Sequence, residues 1–458
     1  MDSGIVEKIS KIVGAENIIT SREELACFSF DATNEKAIPS AVCYPSSSNE
    51  ISEILKLANI YRFPVVPKGA GSNVVGGTLA GANSLILSLE KMNRILQIDA
   101  DNLFAVVESG VVNADFQKEV EKLGLFYPPD PASLNFSTLG GNVAEGAGGP
   151  RAVKYGTTKD YVMGLEVVLP TGEVINCGVK TVKSVAGYDL TRLFVGSEGT
   201  LGIITKITLR LIPKPYAIKT MVAFFNDVSD AAITVSEIIK QKIIPVTLEL
   251  LDDFAVSVIK KELFDLIPDA ASALLLIEVD GPKELIEKEA EDIRNVAFKK
   301  KAISVEIAKD EKEAAKLWKV RRGLMAAVRK IKPARISEDV AVPRSRLAEL
   351  IKEVKKIADE FELIVCNFGH AGDGNLHVNF ILDPKDLETR KRIEAAIPVL
   401  FKTVLSMDGT ISGEHGIGTL KAPFLKDEAG DIPYSLMWKI KQLFDPNNIL
   451  NPGKVFLA

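Results

Sequence analysis

Histidine is almost missing from this chain: three occur in 458 residues, at His370, His377 and His415, and none earlier. Imidazole titrates near neutrality and binds transition metals, so chemistry of that kind is confined to the C-terminal quarter. Cysteine is scarce as well. Cys27, Cys43, Cys177 and Cys366 are scattered, and the lack of any CxxC pair excludes a zinc knuckle or an iron–sulfur cluster. No long uncharged apolar run is present, which excludes a transmembrane helix. The opening "MDSGIVEKIS" is acidic and amphipathic, unlike a signal or transit peptide, and a cytoplasmic protein is expected. Positive charge is not in surplus: 56 Lys and Arg stand against 61 Asp and Glu. That balance argues against nucleic acid or an anionic membrane as the main partner.

The length allows about three units of roughly 150 residues, or two larger ones. Residues 49–61 put Ile51, Ile54, Leu55 and Ala58 at helical spacing, with Asn49 as the N-cap. Strands are expected at "FPVVP", "SLILSL" and "LFAVVES", and a helix after Asn113. From Pro128 to Tyr155 the chain is Gly-rich and nearly free of strand pattern, which predicts a long functional loop. "GLEVVLP" and "EVINCG" flank Thr171-Gly172, a hairpin signal. "GIITKITLRLIPKP" reads as a strand ending at Pro213 and Pro215. Beyond it, strands near 246–251, 273–280, 302–308 and 336–342 alternate with helices at about 228–240, 283–298, 310–330 and 343–359. The pattern predicts an antiparallel sheet covered by helices on one face, or paired ferredoxin-like units. "LIVCNFGH" and "GNLHVNFIL" form two strands joined by a short turn, and a helix follows from about 386 to 406.

Glycine is the residue in quantity. "PKGAGSNVVGG" at 67–77 is no Walker A loop, because no Gly-Lys-Ser/Thr follows at the required spacing. It is a poor Rossmann fingerprint too, since Val74 stands where the third glycine belongs. Two further runs, "TLGGNVAEGAGGPRAVKYG" at 138–156 and "LFVGSEGTLGIIT" at 193–205, change the odds. Three glycine runs beside hydroxyl residues point to a phosphate-bearing ligand wrapped by main-chain N–H groups.

Together with "YPPDPASLN", "FGHAGDGNLHVNF", "SGEHGIG" and "FDPNNILNPGK", these runs resemble the FAD-dependent D-2-hydroxyacid dehydrogenases of the vanillyl-alcohol-oxidase superfamily. The likeness covers nearly the whole chain in order and is loose only over about 216–335. It implies an α+β fold: an FAD-binding domain of two subdomains (1–215), an antiparallel-sheet-plus-helices substrate or cap domain (216–410), and a small C-terminal helical segment (411–458) returning to the first. FAD's pyrophosphate would lie along Lys68, Gly69, Ala70, Gly71, Ser72 and Asn73. A second strip would comprise Pro131, Ser137, Thr138, Gly141, Asn142, Ala147 and Gly148. Glu198, Gly199 and Ile204 would sit near the adenine or ribose, and Asn451 and Lys454 near the flavin. Relatives often carry Arg where this chain has Lys68, and Thr-Gly where it has Ser72-Asn73. Some superfamily members hold flavin through an N-terminal histidine; this chain has none there, so noncovalent FAD is expected.

The histidines complete the reading. A hairpin from His370 to His377 brings two imidazoles together, with Asn379 on the same strand face as His377. Two histidines and a carboxylate suit Zn²⁺, and also Fe²⁺ or Mn²⁺. By resemblance His370, His377 and Glu414 are the metal ligands and His415 the catalytic base. A 2-hydroxy acid also needs a cation for its carboxylate, and Arg321 in "LWKVRRG" suits that role; Asn379 is a second substrate contact. Met325 and Ser337, where some relatives have further polar contacts, favour a small or aliphatic acid. The expected activity is oxidation of D-lactate or glycolate, with electrons passed to a separate protein, an iron–sulfur subunit or an electron-transfer flavoprotein as in relatives, or to a quinone or artificial dye. Two other readings compete: a metal-dependent hydrolase using the His/His/Glu set, and a non-catalytic FAD subunit of a larger oxidase.

Overall fold

The computed structural model describes residues 1–33, 35–260 and 267–457. The chain divides into two units. One comprises Met1–Gly148, Thr157–Lys214 and Glu414–Ala458, the other Gly149–Gly156 and Pro215–Gly413.

Two main sheets organise the first unit. In the smaller, the order is Ile18–Ile19, Ala41–Cys43, Leu85–Ser88, Val65–Lys68, and the last three strands run parallel. Parallel strands need both faces covered. The Ser48–Tyr61 helix supplies one cover, burying Ile51, Ile54, Leu55 and Ala58 against Ala41, Val65, Leu85 and Leu87. Its N-cap is Ser47 rather than Asn49: the Ser47 hydroxyl accepts the Glu50 N–H at 3.3 Å, which draws Asn49 into the first turn. The larger sheet is antiparallel, in the order Ile95–Asp99, Phe104–Glu108, Ile203–Arg210, Val162–Val168, Val174–Gly178.

The stretch from Pro128 to Tyr155 is not a bare loop. Helices Leu139–Glu145 and Ala152–Tyr155 interrupt it. Thr138 caps the first, accepting the Gly141 N–H at 3.2 Å, and Gly146 ends it at φ 70°. Gly140 and Gly141 lower helix propensity and hid this element. Close packing requires one of them: a β-carbon at Gly140 would lie 2.9 Å from the Ser109 carbonyl oxygen. The C-terminal segment closes the unit, with the Val65 N–H donating to Ile449 and the Asn451 N–H to Val65, each at 2.8 Å.

The second unit is built on a seven-stranded antiparallel sheet. Its order is Ala302–Ile307, Ala217–Phe225, Ala273–Gly281, Thr247–Leu251, Val365–His370, Asn375–Leu382, Ala334–Ala341. Sequence reasoning missed Ala217–Phe225, whose buried run lacks alternation. Of the two arrangements expected, helices on one face or paired ferredoxin-like units, the one-faced cover does not form. Val222, Phe224, Leu274, Leu276, Cys366 and Phe368 pack with the helices Asp253–Lys260 and Glu311–Ile331. The intervening residues Met221, Ala223, Phe225, Leu275 and Ile277 are equally buried, so the opposite face is covered too. No described helix is long and apolar enough to cross a membrane.

Candidate active site

Strand register gathers the histidine region. In the hairpin Val365–His370 and Asn375–Leu382, Phe368 lies opposite His377 and Cys366 opposite Asn379. Opposed residues project to one face, and so do alternate residues along each strand. His370, Phe368, His377 and Asn379 therefore share a face. Neighbouring strands add to it: Glu249 lies opposite His370, and Asp339 opposite His377. The turn Ala371–Asp373, ended by Gly374 at φ 82°, lets the imidazoles meet edge to face with centroids 5.2 Å apart.

Each imidazole has a carboxylate near Nδ1. Glu249, without solvent exposure, bonds His370 Nδ1 through Oε1 and accepts the Arg321 Nε–H through Oε2 at 2.7 Å. Asp339 Oδ1 stands 3.7 Å from His377 Nδ1 and accepts an amide hydrogen from Asn375 at 2.6 Å. Burial pushes the Glu249 carboxyl up, but the charges of His370 and Arg321 outweigh it and hold the group at about 2. An ionised carboxylate only accepts, so His370 donates its Nδ1 hydrogen to Glu249, and in its neutral form the ring then keeps its lone pair on Nε2. Metal-ligating histidines are oriented in this way.

Arg321 descends from the Glu311–Ile331 helix and stacks over Phe368, its guanidinium carbon 4.4 Å from the ring centroid. Asn379 lies on the expected face, but it is fully buried. Its amide hydrogens go to the carbonyls of Cys366 and His377, both at 3.0 Å, and its oxygen accepts from Arg335 at 2.7 Å. With both donors taken, Asn379 holds Arg335 rather than offering hydrogens to a substrate. Arg335 also reaches Met325 Sδ at 3.1 Å, and burial lowers its pKa. Sequence reasoning passed over Glu249, Asp339 and Arg335. Glu249 and Asp339 carried a signal: each is a charged residue among buried positions of its strand, where an uncompensated charge is costly.

In the first unit the main chain crowds where glycines stand. A β-carbon at Gly69 would collide with the Thr138 hydroxyl, so the 67–77 and 138–148 runs touch. One at Gly148 would lie 2.6 Å from Glu414 Oε2. Asn451, at φ 44°, donates to the carbonyls of Gly77 at 3.1 Å and Glu198 at 2.7 Å, tying three of the expected FAD-contacting stretches together. Lys68 and Lys454 are buried and donate to the carbonyls of Phe30 and Leu79, at 3.0 and 2.8 Å. Burial lowers the pKa of both. The Glu198 carboxylate accepts the N–H groups of Ile417 and Gly418, each at 2.7 Å. Glu145, which sequence reasoning did not single out, meets Glu198 beside Gly416. Burial pushes both carboxyls up, and the charge of Glu198 adds to the rise at Glu145. In the same turn Glu414 Oε1 stands 3.7 Å from His415 Nε2.

Ser137 Oγ, Asn142 Nδ2, Ser197 Oγ and Asn451 Oδ1 are buried without a hydrogen-bond partner among the described residues. Buried polar atoms are nearly always satisfied. Their concentration along the glycine runs fits a polar ligand that completes those bonds, as FAD would.

Comparisons with known proteins agree with this geometry. Residues 39–178 match the FAD binding domain, and residues 214–455 the C-terminal domain of FAD linked oxidases. The chain is 46% identical to "Glycolate oxidase subunit GlcD" of Bacillus subtilis, covering 99% of this chain and 96% of that protein. It is 36% identical to "D-lactate dehydrogenase" of Anaerostipes hadrus, covering 98% and 97%. In fold it is similar to p-cresol methylhydroxylase, with TM-score 0.83 and 19% identity over 100% of this chain and 98% of that one. A hydrolase would leave the FAD-domain match without a reason. Glycine runs, unsatisfied polar atoms and whole-chain likeness converge: the chain belongs to the FAD-linked oxidases and is an FAD-dependent oxidoreductase.

Proposed function

We propose that this chain is an FAD- and divalent-metal-dependent dehydrogenase acting in the cytoplasm. It oxidises a small D-2-hydroxy acid, D-lactate or glycolate, to the 2-oxo acid. The observation that carries this reading is the face bearing His370 and His377, with Glu249 behind one imidazole and Arg321 stacked beside them. The names of the B. subtilis and A. hadrus relatives support the substrate class.

His370, His377 and Glu414 hold the ion, a set that suits Zn²⁺, Fe²⁺ or Mn²⁺. Bound FAD supplies the acceptor for two electrons and the C2 hydrogen, and the ion supplies a Lewis acid for the substrate oxygens. His415 takes the hydroxyl proton as the C2–O bond becomes a carbonyl. Arg321 pairs with the substrate carboxylate. It also borders a small apolar core void lined by Val222, Phe224, Leu274, Leu276 and Leu317. Asn379 acts through Arg335. FAD is held noncovalently along residues 68–73, 131–148 and 198–204, with Asn451 and Lys454 beside it. No two of the four cysteines form a CxxC pair, which supports a separate electron acceptor, an iron–sulfur subunit or an electron-transfer flavoprotein.

Anaerobic titration of the flavin-loaded protein with D-lactate, glycolate, L-lactate and a D-hydroxy dicarboxylic acid tests the proposal. D-lactate or glycolate should bleach the flavin, and bleaching should stop after chelation and return with added ion. Bleaching by none of the four, or by L-lactate as readily as by D-lactate, would sink it.

A further inference from the structure

We infer that Glu249 is a positioning residue that couples the metal site to the substrate-carboxylate site through one carboxylate. The inference rests on the dehydrogenase reading above. Glu249 sits inside the Thr247–Leu251 strand, where every residue is buried. Neutralising Arg321 would occupy one oxygen. Here both are engaged, Oε2 by Arg321 Nε at 2.7 Å and Oε1 by His370 Nδ1. The second bond selects the His370 tautomer that directs its lone pair outward from Nε2.

The register makes this rigid. Glu249 and His370 are directly opposed on neighbouring strands, so their main-chain separation is set by the ladder and not by side-chain reach. Phe368, beneath the Arg321 guanidinium, belongs to the same strand as His370. Movement of the His370 ring on taking up an ion is therefore transmitted to the aim of Arg321, and the reverse. Coupling between two sites must be reciprocal. A glutamine at 249 keeps the shape but offers one acceptor; its amide group would oppose either the His370 or the Arg321 N–H.

The test uses flavin-loaded wild type, Glu249→Gln, Arg321→Lys and the double variant, with melting temperature and flavin content checked first. Zn²⁺ and Mn²⁺ affinities are measured calorimetrically, and pyruvate affinity from the flavin spectrum with and without ion. In wild type the ion should tighten pyruvate binding at least about five-fold. In Glu249→Gln the ion should bind roughly 10–100-fold more weakly, and its effect on pyruvate should vanish. Arg321→Lys should weaken ion binding in wild type but not further in Glu249→Gln, a non-additivity that a merely structural role would not produce. If Glu249→Gln does not fold, Glu249→Asp, which keeps the charge but retracts both oxygens, should show the same weakening. Wild-type ion affinity and coupling in whichever variant folds would overturn the inference alone. A wild-type protein that takes up no divalent ion would overturn the dehydrogenase reading, and the inference with it.

Discussion

In the first unit the atoms that would face a ligand are main-chain groups and buried side chains whose hydrogen bonds are incomplete, such as Ser137 Oγ and Asn142 Nδ2. In the second they are charged side chains already bonded to one another, Glu249 to His370 and Arg321. The difference follows from what each must hold. A dinucleotide is large and brings its own donors and acceptors, so the protein supplies close approach and leaves polar groups open. An ion and a small acid bring little, so the protein must fix charge and geometry beforehand.

The contrast can be broken from either side. The largest effect is expected from the imidazole chemistry: His415→Ala, although in the first unit, should lower substrate-driven flavin reduction by roughly 10²–10⁴-fold while flavin content stays full. Rapid anaerobic mixing reads the first and the visible spectrum the second; loss of flavin with the activity would erase the separation. The converse is Gly69→Val, whose side chain would displace Thr138. The purified protein should carry little FAD yet still take up Zn²⁺ in a calorimetric titration; full flavin content would show that the close approach is dispensable.

A third expectation concerns charge buried in the second unit. Asp252 is fully buried and accepts the Ala255 and Asn367 N–H groups at 2.9 and 2.6 Å, but burial pushes its carboxyl up to about 7. A folded pKa above the unfolded one means that the native state binds the proton more tightly. Its contribution is full below about pH 4 and is lost as pH rises toward 7, by up to about 1.4 kcal/mol per unit. Denaturant melts of wild type and Asp252→Asn across that range should diverge with that slope; parallel curves would mean the carboxyl titrates normally. The smallest effect is Ser137→Ala. The flavin-free protein should be unchanged or slightly more stable, because an unsatisfied hydroxyl is removed, while FAD should bind about 5-fold more weakly, near 1 kcal/mol. A loss of stability without flavin would mean that Ser137 already had a partner.

Much of this was legible beforehand. The glycine runs announced themselves by composition, and the two-strand spacing from His370 to His377 was local. The helix at Leu139–Glu145 was not, because its glycines serve packing against Ser109 rather than helix propensity. Nor was the pairing of Glu249 with His370, which are 121 residues apart. A glutamate in "TLELL" says only that a charge is buried; nothing nearby names its partner. Asn379 shows the same limit, since strand parity gives the face of a side chain and not which hydrogen bonds it makes.

The order of residues alone determined where imidazole chemistry is possible, which loops admit close approach, and that no two cysteines stand in a CxxC pair. Those are matters of which atoms exist and of spacing along a few residues. Folding decided which charge answers which. That choice depends on strand order and register in a sheet whose neighbours come from distant parts of the chain, and no local periodicity encodes it.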